Sequence, residues 1–458
     1  MYFIYFVILL TIFQEATFGF LGVSGVSLFF LRTVADLTPI LLFFYAVTRN
    51  SLERRPFILS GSGYERLFFL FFIYSLIISL STLSSNLAAN IAEIIVINRF
   101  VFLAMTIPMI VNTEIKIVRL LRFLWLVILA QVFIGAMQQF GGPPVIDFFR
   151  PNDYSNFLTG SERSFTSNRG LSRQMIIGTV GDFLSFGYIM CAGIIFLLAR
   201  QRSQFRTHLM LLILITMVFL SGSRTIFLSS MLVVLFTFFT KAKPGTRILL
   251  LVSGLIGTPP AILFLINRAA GIEFEYSAFL SIFRPEFLES LMNQRLGHAF
   301  LYLPQFVVQP EAIFGLSPDR VLATQFANTN LGTDLPYIFM ATFNETLEDF
   351  YPAALITYYG LVGTTLFYSM YFRILLSAWR RRHHQNDLTA YLARLVLFFV
   401  AIVHLLSLAN QSFENRSMAL FLWVTVGMYG SITLINRNPR TNIQGDQVEV
   451  RNRSTDTP

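Results

Sequence analysis

Runs of nearly unbroken apolar residues, separated by short polar connections, recur from the first residues of the chain to about position 436. Such runs match the roughly 30 Å hydrocarbon core of a bilayer when helical, and a helix satisfies its own backbone polar groups there. The pattern predicts twelve transmembrane helices, over residues 3–22, 33–48, 67–87, 97–112, 120–138, 175–199, 209–223, 225–240, 248–266, 352–373, 388–408 and 417–435. The first two, and the pair 209–223 and 225–240, are short for a full crossing. The opening MYFIYFVILL has no positive leading region of the kind a cleavable signal carries, so it is expected to remain as the first span.

Two connections are longer than the others, at about 139–174 and about 267–351. Connections of the second size are usually functional. That connection contains helix-like stretches such as AFLYLPQFVV (299–308), expected to lie over the mouth of the bundle. No internal repeat of 20–50 residues is visible. The expected organisation is an all-α, polytopic transmembrane domain over 1–436 and a polar, disordered cytoplasmic tail over 437–458.

Composition agrees. Of 458 residues, 55% are hydrophobic and only 13% charged, where a soluble domain carries about 25% charged residues. The formal charge of +9 would suit a nucleic acid, but the basic residues stand in short clusters between apolar runs, which is a topology signal and not a phosphate-tracking groove. With twelve spans, alternate connections collect RNSLERRP with Arg66, KIVRLLR, ARQRSQFR, KAKPGTR, AWRRRHH with Arg373 and Arg394, and the basic tail, together 22 of the 34 Lys and Arg. Positive residues favour the cytoplasmic side, so both termini are expected inside. A single span over 209–240 would flip every later connection and put RRRHH outside. Two short spans joined by SGSRT (Ser221–Thr225) fit better, and they leave Arg224 at the outer face.

The remaining basic residues include Arg150, Arg163, Arg169, Arg173, Arg224, Arg268, Arg284, Arg295 and Arg320, every one an arginine. The planar guanidinium suits two-point contact with phosphate and stays charged when partly desolvated. Most of these are expected to be solvated or ion-paired. Arg224 stands apart because apolar runs flank it on both sides, where an ionisable group marks function by default. His298, one helical turn after Arg295, reads first as a structural histidine. Asp182, in the outer part of a span, requires a partner, for which Arg224 or Arg173 would serve. Glu348 and Asp349 precede a span, where a helix N-terminus favours negative charge in any case. A carboxylate pair can also raise one member's pKa toward that of a general base. The one cysteine, Cys191, permits no intrachain disulfide. No phosphate-binding loop, nucleotide fingerprint or metal-ligand motif occurs, so no metal and no cofactor is implied.

SGSRT between two spans resembles the S-R-[TG] signature of the O-antigen polymerase/O-antigen ligase superfamily of bacterial membrane glycosyltransferases. RLGHAFLYLPQFVVQPEAIFGLSPD (295–319) resembles that family's segment of an arginine, an amphipathic helix and P-x-x-x-x-G. EDFYPAALITYYGLVG (348–363) resembles its acidic or His start of a span, with a Tyr and a closing G-[LI]-[IV]-G. The resemblance implies a multi-span, GT-C-like glycosyltransferase of the bacterial cytoplasmic membrane, acting on undecaprenyl-diphosphate-linked oligosaccharide at the outer face. It also implies a flippase and a chain-length regulator as companions. It casts Arg224, Arg295 and Arg173 or Arg169 as the diphosphate-binding groups, and Asp349 or Glu348 as the group that orients or deprotonates the acceptor hydroxyl. Ligases of the family typically carry a His where Glu348 and Asp349 stand, which favours a polymerase. The alternatives are a ligase using His298, a secondary transporter or lipid flippase, and a non-catalytic scaffold.

Overall fold

The structure, a computed structural model, describes residues 1–21, 25–53, 63–81, 87–149, 154–155, 162–163, 176–200, 205–241, 297–331, 335, 339–340, 343, 346–408 and 412–437. The expected span 248–266 and the tail lie outside the described residues, as do most of 139–174 and the first part of 267–351.

The protein is a helical membrane protein. Its first half contributes α1 (Tyr2–Phe20), α2 (Gly25–Leu52), α3 (Tyr64–Ser81), α4 (Leu87–Ile110), α5 (Glu114–Gly141), the short α6 (Pro143–Phe149), α7 (Phe183–Ala199), α8 (Phe205–Leu220) and α9 (Arg224–Lys241). A two-residue antiparallel ladder pairs Tyr154–Ser155 with Glu162–Arg163. After residue 297 come α10 (Leu303–Val307), continuing a π-turn at His298–Tyr302, then α11 (Glu311–Phe314) and α12 (Arg320–Phe326). A 3-10 turn (Leu347–Asp349) leads into α13 (Tyr351–Arg381), followed by α14 (Asp387–Ser407) and α15 (Arg416–Arg437). Among the described residues seven helices are long and apolar enough to cross a membrane, within α2, α3, α4, α5, α13, α14 and α15. The apolar helices α1, α7, α8 and α9 are shorter.

Local chemistry sets the helix ends. Thr113 caps α5 by accepting from Lys116 N, and Asn386 caps α14 by accepting from Thr389 N at 3.0 Å. Each side-chain oxygen satisfies an amide that the helix itself leaves unpaired. Burial sorts the helices into layers. From Ser185 to Ala199 every residue of α7 is buried, and nearly every residue of α15 is too. Helices apolar all round belong at the centre. Around them α1, α2 and α5 turn Phe6, Phe44, Leu126 and Phe133 outward, as a lipid-facing rim requires.

Several basic stretches among the described residues share one end of the bundle. The amino terminus lies near Lys116 and Arg49. Asn386 donates to Glu114 at 3.0 Å, Arg394 Nε to the Ala199 carbonyl at 2.9 Å, and Asn436 to Thr389 at 2.8 Å. Helices α4, α7, α9, α13 and α15 therefore begin at the opposite end. There α8 and α9 meet in a tight turn, with Ser221 N bonded to Met217 O and Gly222 N to Phe219 O, both at 3.0 Å. Phe219 and Phe227 meet edge to face across it at 5.4 Å. The SGSRT stretch thus joins two short helices.

The long helix α13 is broken at Gly360, whose φ is 64° and ψ is −176°. The break leaves carbonyls with no helical partner, and a turn from the late connection supplies one. Leu316 N donates to Thr357 O at 2.8 Å and Ser317 N to Tyr358 O at 3.0 Å. From α3, the Tyr74 hydroxyl reaches Tyr359 O at 3.0 Å and Phe314 O at 2.8 Å. A backbone break at membrane depth is tolerated only when protein groups satisfy it in this way. Gly315 (φ 88°) lies directly against Gly360: a Cβ on Gly360 would stand 2.4 Å from Ile313 O, and one on Gly315 would stand 2.5 Å from Gly360 N. Buried Ser317 completes the dock, accepting from Asn90 of α4 at 3.0 Å and donating to Ser79 of α3 at 3.4 Å.

Candidate functional site

The docked turn carries charge into the bundle end. Asp319 caps α12 by accepting from Val321 N (2.9 Å) and Leu322 N (3.2 Å), which sets the direction of Arg320. Arg320 then grips Glu348 with both arms of its guanidinium, Nε to Oε1 at 2.6 Å and Nη2 to Oε2. The Tyr358 hydroxyl donates to Oε1 at 3.1 Å. Glu348 is nearly buried, while Arg320 keeps more than a third of its side-chain surface exposed. A two-pronged pair of this kind is directional and strong among ion pairs.

Beside it lies a second group of charges on elements far apart in sequence. Glu15 of α1 pairs with Arg32 of α2 and, at 3.2 Å, with Arg416 of α15. Asp36 of α2 pairs with Arg99 of α4 at 2.7 Å and with Arg416 at 2.9 Å. Arg99, 2% exposed, extends Nη2 to the backbone carbonyl of Glu414 at 3.3 Å. Asn415 donates to Ser185 at 3.0 Å, joining α7 to the same turn. Arginines this deep persist only when paired.

Glu414, on the turn between α14 and α15, links the two groups. Burial, then the negative charges of Glu348 and Glu93, push its carboxyl up to about 8. The Tyr351 hydroxyl, on the first turn of α13, lies close enough to interact with Glu414 but makes no well-aligned hydrogen bond. Among the described residues no ion pair reaches the Glu414 carboxylate.

The residues singled out by sequence fall in different places. Glu348 belongs to the site and is tied to Arg320. Asp349 ends the 3-10 turn, partly exposed. Asp182 caps α7, accepting from Ser185 N at 2.8 Å, so a backbone amide is its described partner. His298 is fully buried, with Nε2 2.7 Å from Thr346 Oγ1 and the ring against Phe339 at 4.6 Å and Phe343 at 5.1 Å. Burial pulls its pKa down to about 3, so it is a neutral, structural ring. Arg224 is the first residue of α9. Its side chain lies outside the described residues, as do Arg295, Arg173 and Arg169. Among the described residues no group of three or more His, Cys, Asp or Glu is placed to hold a metal ion.

Residues absent from the sequence reading of the site are Glu15, Arg32, Asp36, Glu93, Arg99, Glu414 and Arg416. The signal for several of them was present: each of Glu15, Arg32, Asp36 and Arg99 interrupts an apolar run, and intramembrane charge marks a site or a pair. Neither the protein-family models nor the curated proteins compared with this chain give a match.

Proposed function

We propose that this chain is a membrane glycosyltransferase of the O-antigen polymerase type, joining lipid-diphosphate-linked oligosaccharides into a surface polysaccharide. In this reading the bundle has twelve spans: α1–α5, α7–α9, residues 248–266 and α13–α15, in a GT-C-like arrangement. The basic end is cytoplasmic by the positive-inside rule, and the Arg320–Glu348 end faces outward from a bacterial cytoplasmic membrane.

The observation that carries the reading is the meeting of two of the stretches that bear the resemblance. Pro310–Gly315 and Gly360–Gly363 pack glycine to glycine, and that dock brings Arg320 to Glu348. The late connection is thereby held over the bundle end as a cap on a site. Arg224, with Arg295 and Arg173 or Arg169, would bind the donor diphosphate and stabilise the charge that develops as it leaves. The acidic group, Glu348 or Asp349, would orient the acceptor hydroxyl. The energy of the anomeric diphosphate bond drives transfer, so no cofactor is required.

The test is deletion of the gene in its host and complementation with wild type, Arg224→Ala and Asp349→Asn, each checked for membrane expression. A ladder of surface glycan restored by wild type, with single repeats in the variants, is expected. A normal ladder from well-expressed Arg224→Ala would refute the assignment of Arg224. Full-length lipid-linked chains stranded in the null strain would make the protein a ligase, a reading disfavoured by the burial of His298.

A second reading has its own support. Broken helices and intramembrane charge are features of secondary transporters and flippases, and α13 is broken. Lipid-linked single repeats confined to the cytoplasmic face of null-strain membranes would favour it.

A further inference from the structure

The glycosyl-transfer reading needs a group to take the proton of the acceptor hydroxyl, and Glu348 is poorly placed for that. Both of its oxygens are held by Arg320, and one also accepts from Tyr358. Each neighbouring guanidinium is likewise committed to an acid: Arg99 to Asp36, Arg416 to Glu15 and Asp36, Arg320 to Glu348. Glu414 differs. It is half-buried on the turn before α15, with its backbone fixed by Arg99 at 3.3 Å. Phe413 packs on Tyr351 at 5.2 Å, which fixes the turn against α13. The Tyr351 hydroxyl, 1% exposed and without a hydrogen-bond partner among the described residues, is close enough to the Glu414 carboxylate to interact with it.

Resting on the function proposed above, we infer that Glu414 is the proton acceptor for the attacking hydroxyl, with Tyr351 positioning it and the Arg320–Glu348 pair serving as the fixed wall of the site. The acceptor oxygen forms its bond to the anomeric carbon while the bond from that carbon to the diphosphate oxygen breaks. The electron pair leaves with the lipid diphosphate, and the hydroxyl proton passes to Glu414 and then to water.

Among the described residues, the groups facing Glu414 are Tyr351, Tyr358 and Tyr359 of α13, Glu348 before it, Glu93 and Arg99 of α4, and Arg320 of α12. Burial first, and then the acids among them, make it a stronger base, at about 8. The reaction needs its ionised form, so turnover rises with pH through that value. The nearby Tyr351 hydroxyl dipole works against that upward shift and favours the ionised carboxylate, so Tyr351→Phe moves the midpoint of the rise to higher pH.

The experiment uses the full chain in proteoliposomes, with lipid-diphosphate-linked repeats extracted from the deletion strain as the probe. Polymer formation is followed from pH 6 to pH 9. Glu414→Gln is expected to lower kcat about 100-fold with little change in KM, and Tyr351→Phe to lower kcat less, with a raised midpoint. Wild-type rate and pH profile in Glu414→Gln would overturn the assignment, as would an unshifted midpoint in Tyr351→Phe. Loss of the pH rise in Asp349→Asn but not in Glu414→Gln would give the role to Asp349. If wild type makes no polymer from this probe at any pH, the glycosyl-transfer reading itself fails, and Glu414 with it.

Discussion

Replacing Gly360 by Ala asks whether the dock between the late connection and α13 holds the bundle end together. The new methyl group would meet Ile313 O at 2.4 Å and Gly315 N and Phe314 C at 2.5 Å. All three are backbone atoms, so no side chain can swing aside. A residue with a Cβ at this positive φ adds about 1–2 kcal/mol of strain. Displacing the Gly315–Ser317 turn forfeits two backbone hydrogen bonds to Thr357 and Tyr358 and disturbs two from Tyr74, each contributing about 1 kcal/mol. Reduced freedom of the unfolded chain returns about 0.5–1 kcal/mol. The net loss is about 3–4 kcal/mol.

Gly63 provides the control. Its φ is also positive, at 80°, but among the described residues nothing lies within 4 Å of the place a methyl group would take there. Gly63→Ala therefore carries strain without collision and costs about 1 kcal/mol. Both variants would be purified in the same detergent and heated in steps, with the surviving monodisperse fraction read by size-exclusion chromatography. Gly360→Ala should fail at clearly lower temperature than Gly63→Ala, and proteolysis should cut first within 297–331. Matching curves for the two variants would refute the collision argument and leave only backbone strain.

Other expectations follow from the same geometry. Arg320→Ala leaves the nearly buried Glu348 carboxylate uncompensated and should destabilise by about 2 kcal/mol, discounted for the exposure of Arg320; a double-mutant cycle with Glu348→Gln measures the coupling. Arg99→Met removes one of the two arginine partners of Asp36 and leaves Arg416 as the other, so it should cost about 2 kcal/mol, seen as a lower thermal midpoint and as relief when Asp36→Asn is added. His298 is neutral in the fold down to about pH 3, whereas its unfolded-state pKa is about 6.5. Protons therefore favour the unfolded chain in that window, and stability falls by about 1.4 kcal/mol per pH unit as pH drops from about 6.5 to about 3. His298→Phe should flatten that limb of a stability-versus-pH curve, and an unchanged slope would show that other groups set it.

Much of the helical framework was legible because a bilayer permits so few structures. The apolar runs expected at 120–138 and 388–408 fall within α5 and α14, and α3 covers 67–81 of the run expected at 67–87, while the SGSRT stretch forms a turn between two helices as charge placement required. Helix ends were less legible. Helix α2 runs from Gly25 to Leu52 across Pro39, well beyond the apolar stretch 33–48, because ion pairs from Arg32 and Asp36 stabilise its polar turns. The site divides in the same way. Glu348 was singled out as a member of an acidic pair before a span, but nothing in the chain links it to Arg320, 28 residues earlier. The Gly315–Gly360 contact was equally hidden: each glycine belongs to a short degenerate stretch, and their meeting depends on a helix break that no periodicity shows. Glu414 and Arg416 lay in a connection that charge counting treats only as a boundary.

The ion pairs among α1, α2, α4 and α15 also impose an order on synthesis. A ribosome delivers helices to the membrane in sequence, and Arg32 can meet Glu15 as soon as the first hairpin is inserted. Asp36 must wait for Arg99, two helices later. Arg416 arrives only with α15, about 400 residues after Glu15, and its position between Glu15 and Asp36 closes the network. Until then the early helices sit in the bilayer with an incomplete set of charges and only one of the two central helices, α7, to pack on. Nascent chains that stop short of residue 416 are therefore expected to be substrates for membrane quality control, and α15 acts as the checkpoint at which this charge network is completed.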